Sequence, residues 1–150
     1  LSYNWTSMTT LVNNMTPNGG TNQNIGLQLG WLSLAGGGPF TVPAMDSKYK
    51  YQQVIILLTD GLNTQNRWYG NGSTPSSQVD ARQKMTCDNV KAAGVTLYTV
   101  QVNTGGDPTS TLLQQCASDS SKFFLLTSAT QMISTFSTIG TQLSNLRVAK

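Results

Sequence analysis

The run Val-Ile-Ile-Leu-Leu-Thr at residues 54–59 constrains the fold of this chain more than any other feature. It is apolar at five consecutive positions and does not alternate between polar and apolar residues. Strands with this pattern are covered on both faces, as in a parallel sheet flanked by helices. Residues 95–102 and 122–127 have a similar β-rich character. The sequence therefore predicts an α/β fold.

Helical patterns precede and separate these strands. We predict a short helix near residues 7–15, capped by Ser7, and a second over residues 21–34. In the second, Ile25, Leu29 and Leu32 lie on one stripe at helical spacing. The order of elements is helix, helix, strand, helix, strand, helix, strand, helix. This order predicts a single, doubly wound domain over residues 1–150, with a mostly parallel sheet.

The later helices carry recognisable start signals. Asp107 followed by Pro108 is typical of a helix N-terminus, with aspartate as the N-cap. Ser128 and Gln131 have the spacing of a capping box. The last helix then presents an apolar stripe at spacings of four, three, four and three, formed by Met132, Phe136, Ile139, Leu143 and Leu146.

The charged residues exclude several kinds of chemistry. The chain contains no histidine, which excludes a Ser-His-Asp triad and a His-ligated zinc within these 150 residues. It also contains no glutamate, so its side-chain carboxylates are Asp46, Asp60, Asp80, Asp88, Asp107 and Asp119. The net charge is +3, but the nine basic residues are scattered and form no dense run. We therefore do not expect nucleic-acid binding.

Cys87 and Cys116 are the two cysteines, and they lack the CxxC spacing of redox catalysts. They are either two buried thiols or one structural disulfide. A disulfide would place the protein outside the reducing cytoplasm and would stabilise it by about 3 kcal/mol. The longest apolar runs are strand-sized, and we see neither a transmembrane helix nor a signal peptide.

Oxygen-bearing side chains are expected at one edge of the predicted sheet. Ligands of such folds bind at the carboxyl ends of the strands, where Asp60 and Asp107 follow two successive strands. Thr21 opens a helix after a Gly-Gly loop. A carboxylate and a hydroxyl suit Mg²⁺, Mn²⁺ or Ca²⁺. The alternatives are that Asp60 stabilises a turn, and that Thr21 and Asp107 are only helix caps.

Aromatic residues near the loops offer a second candidate surface. Trp31, Trp68 and Tyr69 either form a recognition surface or pack against the domain's own core.

Several motifs carry a resemblance to a known family. "GGTNQNIGLQLG", "VIILLTDG" and "VTLYTVQV", in this order, resemble the later part of a von Willebrand factor A domain. In that family a threonine before one helix and an aspartate after the fourth strand belong to a metal-ion-dependent adhesion site. The resemblance places Thr21 and Asp60 in these roles, with Asp107 as an additional candidate oxygen donor.

Other segments resemble Tad-type pilus-assembly proteins of bacteria (TadG-like). These are "LLTDGLNTQNRW", "CDNVKAAGVTLYTV", "LLQQCAS" and the C-terminal "FSTIGTQLSNLRVAK". This resemblance implies a non-enzymatic protein-binding or adhesion module that assembles or anchors a pilus in the cell envelope. Its partners would be other pilus-assembly or surface proteins. Residues upstream of Leu1 would anchor the full-length protein in the membrane.

The DxSxS motif of the family's metal site does not occur in this sequence. We expect it upstream, together with the first strand or strands of the sheet, so that these 150 residues form a partial domain. Two oxygen donors hold a hard divalent ion poorly, and we expect weak metal binding or none in this chain alone. Strand 54–59 would then have an unpaired edge, and the fragment would need its upstream half, a swapped copy or a rearranged edge.

Two other functions remain open from the sequence. One is a metal-dependent hydrolase that uses Asp60 and Asp107. The other is a structural envelope domain with an inert metal site. The helices on which Cys87 and Cys116 lie should be neighbours on one face of the sheet, which makes a bridge between them plausible.

Overall fold

The computed structural model describes residues 4–145. Its strands are β1 (Val54–Thr59), β2 (Thr96–Val102) and β3 (Phe123–Leu126). Its α-helices are α1 (Trp5–Asn13), α2 (Gln23–Ala35), α3 (Ser77–Ala92), α4 (Thr111–Cys116) and α5 (Gln131–Asn145), and a short 3-10 helix, Ser120–Lys122, precedes β3. This is the order of elements that the sequence predicted.

The three strands form one parallel sheet in the order β1-β2-β3. Val54 lies beside Thr96 in the first pair, and Thr99 lies beside Phe123 in the second. Because all strands run in the same direction, their carboxyl ends share one edge of the sheet. β2 is central and is buried from Leu97 to Val102. The predicted α/β class is confirmed.

Helices α2, α3 and α4 cover one face of the sheet. Their inward side chains form a core with residues of β1 and β2 that includes Leu27, Ile55, Leu57, Cys87, Val90, Val95, Leu97, Leu113 and Cys116. Cys87 of α3 and Cys116 of α4 form a disulfide, with their Cα atoms 5.1 Å apart. The disulfide is therefore confirmed, and it joins the two helices that follow β1 and β2.

Helix α5 covers the opposite face. Ile139 packs with Tyr98 and Val100 of β2, while Met132 and Leu143 lie at the margin of this second core. The Tyr98 hydroxyl donates a hydrogen bond to Oε1 of Gln142 at 3.0 Å. The predicted stripe is present, although Phe136 is 40% exposed and Leu146 lies outside the described residues.

The stripe of Ile25, Leu29 and Leu32 is not the side of α2 that faces the core. Ile25 and Leu29 are exposed, and the residues that face the core are Leu27, Trp31 and Leu34. The helix carries apolar side chains on several of its sides, so helical spacing alone does not decide which side packs against the sheet.

Two predicted helix starts are wrong. The side chain of Asn4, not Ser7, caps α1, and it accepts a hydrogen bond from the Ser7 amide. Helix α4 begins after Ser110, whose hydroxyl accepts from the Leu113 amide, and therefore not at Asp107. The Gln101 side chain explains this difference, because it accepts from the Ser110 amide and donates to the Pro108 carbonyl. These bonds keep the intervening residues out of the helix.

At the capping box of α5, the Gln131 side chain accepts from the Ser128 amide at 3.1 Å. The Ser128 hydroxyl bonds to the Thr130 hydroxyl and does not complete the reciprocal half of the box.

The outer edge of β1 is unpaired within residues 4–145. The Gln53 carbonyl accepts from the Thr96 amide of β2. Successive residues alternate in direction, so the backbone groups of Val54, Ile56 and Leu58 point away from β2. Leu58 is 43% exposed although it lies in a strand.

Helix α1 buries no residue, and its apolar side chains are exposed. No helix within the described range is both long and apolar enough to cross a membrane.

Candidate functional site

The carboxyl end of β1 forms the first part of the candidate site. The strand ends at Thr59, and Asp60 follows as an exposed residue at the start of a bend. The Thr59 hydroxyl donates to the Gly61 carbonyl at 3.1 Å. This bond shapes the turn, so that the Asp60 carboxylate stands at the edge of the sheet where ligands of parallel α/β folds bind.

The loop that carries Thr21 is bound to the loop that follows Asp60. The Thr21 amide donates to Oγ1 of Thr64 at 2.8 Å, and the Thr21 carbonyl accepts from the amides of Thr64 and Gln65 at 3.0 and 3.2 Å. The Thr21 hydroxyl lies 4.0 Å from the point where a Cβ would stand on Gly61. The Thr21 hydroxyl therefore lies near the Gly61 end of the Asp60–Gly61 turn, and a shared metal site of Thr21 and Asp60 stays a prediction.

Gly20 makes the closest approach between the two loops. A Cβ at this position would lie 2.9 Å from the Cα of Gly72 and from the Cβ of Gln65. Any side chain at residue 20 would push the loops apart, because real Cβ atoms do not approach backbone so closely.

A ring of hydrogen bonds among Gln23, Asn63 and Gln83 supports both loops. The backbone N–H of Gln23 donates to Oδ1 of Asn63 at 2.9 Å, Nδ2 of Asn63 donates to Oε1 of Gln83 at 2.6 Å, and Nε2 of Gln83 donates to Oε1 of Gln23 at 3.0 Å. All three residues are at least 90% buried. The ring connects the start of α2, the loop after β1 and helix α3.

Two further bonds extend the ring toward the candidate site. Nε2 of Gln23 donates to the Gly61 carbonyl at 2.9 Å, directly beside Asp60. Nδ2 of Asn63 also donates to Oδ1 of Asp80 at 2.9 Å. Buried polar groups that are fully hydrogen-bonded rigidify the elements they join, so the ring fixes the relative positions of the two loops.

The sequence interpretation did not identify Gln23, Asn63 or Gln83. A signal was present in α3, where Val79, Gln83, Cys87 and Val90 recur at spacings of four, four and three. A glutamine inside such an apolar stripe must find a buried hydrogen-bond partner.

Asp107 lies on the exposed loop after β2. Its backbone carbonyl accepts from Nδ2 of Asn103 at 2.5 Å. Within the described residues, no hydrogen bond connects its carboxylate to Thr21 or Asp60. Its role as an additional oxygen donor stays a prediction.

The two carboxyl groups with lowered pKa values lie elsewhere. A hydrogen bond from Lys84 lowers the pKa of Asp88, and a hydrogen bond from the Ser121 hydroxyl lowers that of Asp119. Both pair with lysines on the surface. These groups are local surface pairs and form no part of the candidate site.

The donor set of the site is oxygen-rich but small. The Asp60 carboxylate and the Thr21 hydroxyl are the types of ligand that hard divalent cations prefer. Such cations take six or more oxygen ligands. Within residues 4–145, no group of three or more His, Cys, Asp or Glu residues could hold a metal ion. The chemistry of the two residues fits a divalent cation only if other donors complete the coordination.

The three aromatic residues near the loops lie in different environments. Trp31 packs against the core between α2 and the sheet. Trp68 and Tyr69 are 63% and 44% exposed, on the loop between β1 and α3.

Comparison with known proteins gives two matches. The family model of the von Willebrand factor type A domain matches residues 2–138. A solved structure of proximal thread matrix protein 1 from the mussel byssus is similar, with a TM-score of 0.52 and 20% sequence identity over 84% of this chain. The present chain spans about a quarter (25%) of that protein, and the likeness concerns the fold alone. The comparison with curated proteins gave no match.

Proposed function

As this chain belongs to the von Willebrand factor type A domain family, we propose that it is a non-enzymatic protein-binding module with a divalent-metal site at Thr21 and Asp60. Domains of this family are generally protein-interaction and adhesion modules, which supports a protein partner. The observation that carries the proposal is the contact between the Thr21 loop and the Asp60–Gly61 turn.

In this proposal the Asp60 carboxylate and the Thr21 hydroxyl supply two ligands to Mg²⁺, Mn²⁺ or Ca²⁺. Oxygen donors from outside these 150 residues complete the site. A bound cation supplies an open coordination position that an acidic side chain of a partner can occupy. The protein's own residues hold the two loops at a fixed separation through the ring of Gln23, Asn63 and Gln83.

We also place the module outside the cytoplasm, in the bacterial cell envelope, where it takes part in pilus assembly or anchoring. The disulfide between Cys87 and Cys116 supports this location, because structural disulfides persist in oxidising compartments. The similarity of several segments to TadG-like proteins supports the pilus role. Membrane anchoring would come from the rest of the full-length protein.

Isothermal titration calorimetry of the full-length protein with Mg²⁺ tests the metal site. We expect Asp60→Ala and Thr21→Val to abolish the binding heat and Thr21→Ser to retain it. Asp46→Ala, which removes an exposed carboxylate from another loop, is the matched control. Unchanged metal affinity in Asp60→Ala would refute the site. A wild-type protein that binds no metal would instead be a structural domain with an inert site.

The hydrolase alternative would use Asp60 and Asp107, which follow β1 and β2 in the chain. Phosphoesterase activity that disappears in Asp60→Ala would revive it.

A further inference from the structure

The loop between β1 and α3 holds Trp68 in a fixed position. Oδ1 of Asn66 accepts from the amides of Trp68 and Tyr69 at 2.8 and 2.7 Å, and the Asn66 amide donates to the Tyr69 carbonyl at 2.8 Å. Gly70 follows with a φ of 87°, a conformation that suits glycine. The backbone on both sides of Trp68 is thus ordered by local hydrogen bonds.

Trp68 is 63% exposed, and two arginine side chains lie close to its ring. The Arg82 guanidinium carbon lies 4.3 Å from the ring centroid, and that of Arg67 lies 5.9 Å away. A guanidinium at such a distance makes a cation–π contact with the indole, and its five N–H groups can also donate hydrogen bonds.

The arginines of this cluster form no ion pair within residues 4–145. The three ion pairs formed within residues 4–145 all use lysines: Lys84 and Lys91 with Asp88, and Lys122 with Asp119. Neither Arg67 nor Arg82 takes part in them. A negatively charged partner would therefore gain charge-assisted hydrogen bonds without breaking an existing ion pair.

The cluster also borders the candidate metal site. Residues 64 and 65, at the base of the Trp68 loop, bind the Thr21 backbone, and Gly72 packs against Gly20. A partner that reaches the Asp60–Thr21 edge would meet the loop that carries Trp68. Exposed tryptophan and arginine are the residue types that most often dominate protein interfaces.

We propose that Arg67, Trp68, Tyr69 and Arg82 form a docking patch for an acidic segment of a protein partner. Carboxylates of the partner would bind the two guanidinium groups, and an apolar side chain would pack against the indole. The inference rests on the proposed function only in assuming a protein partner, because the patch itself needs no metal. A nucleic-acid strand fits less well, since two arginines neutralise few phosphates and the other basic residues are scattered.

Selection from a random peptide library displayed on phage tests the patch, with the full-length protein immobilised in EDTA and, separately, in Mg²⁺. In EDTA we expect the selected peptides to be enriched in Asp and Glu. The enrichment should disappear with Trp68→Ala and with the double variant Arg67→Gln/Arg82→Gln. Peptides selected on the wild type should bind these variants at least about tenfold more weakly.

The double variant Lys48→Gln/Lys50→Gln removes the same charge from another exposed loop and should leave the selection unchanged. Because Arg67 and Trp68 are exposed, thermal melting of the variants should match the wild type. Absence of acidic enrichment, or its retention in both patch variants, overturns the docking patch. Enrichment seen only in Mg²⁺ and unaffected by Trp68→Ala would overturn the patch and support the metal site. Displacement of the peptides by a single-stranded oligothymidine would overturn the assignment to a protein partner.

Discussion

Nε2 of Gln83 donates a hydrogen bond to Oε1 of Gln23 at 3.0 Å, although the two residues are 60 positions apart in the chain. Both residues are buried, and Asn63 completes the ring between them. Gln83→Leu keeps the side-chain volume but leaves Oε1 of Gln23 without a donor. We expect the free energy of unfolding to fall by about 2 to 3 kcal/mol, measured by urea denaturation.

Gln114→Leu is the control for that change, because Gln114 is an exposed glutamine of α4 and its replacement should have little effect. If the ring positions the metal site, Gln83→Leu should also weaken Mg²⁺ binding by the full-length protein by about tenfold. Equal stability of the two variants would show that the ring contributes nothing measurable.

The disulfide should contribute strongly to stability. Cys87 and Cys116 are separated by 29 residues, and the bridge restricts the unfolded chain. Replacing both cysteines with alanine should lower the free energy of unfolding by about 3 to 4 kcal/mol. Calorimetric melting of the variant against the oxidised wild type measures the loss. An unchanged melting temperature would mean that the unfolded state gains little freedom when the bridge is removed.

Two glycines should respond in opposite ways to the same substitution. A Cβ on Gly70 would lie 2.1 Å from the Thr64 carbonyl oxygen, and its φ of 87° disfavours other residues. Gly70→Ala should therefore destabilise the loop that carries Trp68. A Cβ on Gly26, inside α2, would meet nothing within 4 Å. Gly26→Ala should stabilise the protein by about 0.5 to 1 kcal/mol. Thermal melting of both variants checks the signs, and a stabilised Gly70→Ala would contradict this description of the turn.

The open edge of β1 should cause association. Its outward backbone groups have no partner strand among residues 4–145, and the strand carries neither a charge nor a proline to block pairing. We expect light scattering to show that the apparent molar mass of the 150-residue chain rises with protein concentration. Leu58→Lys should reduce this rise, whereas Met85→Lys, a change at an exposed apolar residue of α3, should not. A monodisperse monomer with a sharp melting transition would show that the edge is harmless.

The sequence predicted the sheet well because the strands carry their own signal. A run such as residues 54–59 is typical of a strand in a parallel sheet covered by helices, so the strand and its sheet type follow from a local pattern, although Leu58 stays 43% exposed. Helix α2 shows the limit of this reasoning. Its apolar residues occupy several sides, and only the contact with β1 determines that Leu27 faces inward and Ile25 does not.

Local sequence signals likewise indicate only part of the candidate site. Asp60 could be placed at the carboxyl end of β1 because topology fixes where strands end, whereas the pairing of Thr21 with Asp60 in one site stays a prediction. The ring of Gln23, Asn63 and Gln83 depends on contacts between residues 20 to 60 positions apart, which no local pattern encodes. Asp107 was misplaced as a cap because its local signal competed with the long side chain of Gln101.

The burial of the disulfide between α3 and α4 affects how easily thiols can reduce it. Both sulfur-bearing residues are completely shielded from solvent, and thiol exchange needs an attacking thiolate to reach a sulfur atom. Once the helices have closed over it, the bond survives passing contact with glutathione. Reduction then requires the molecule to open first, so its rate depends on the frequency of opening as well as on the surrounding thiols.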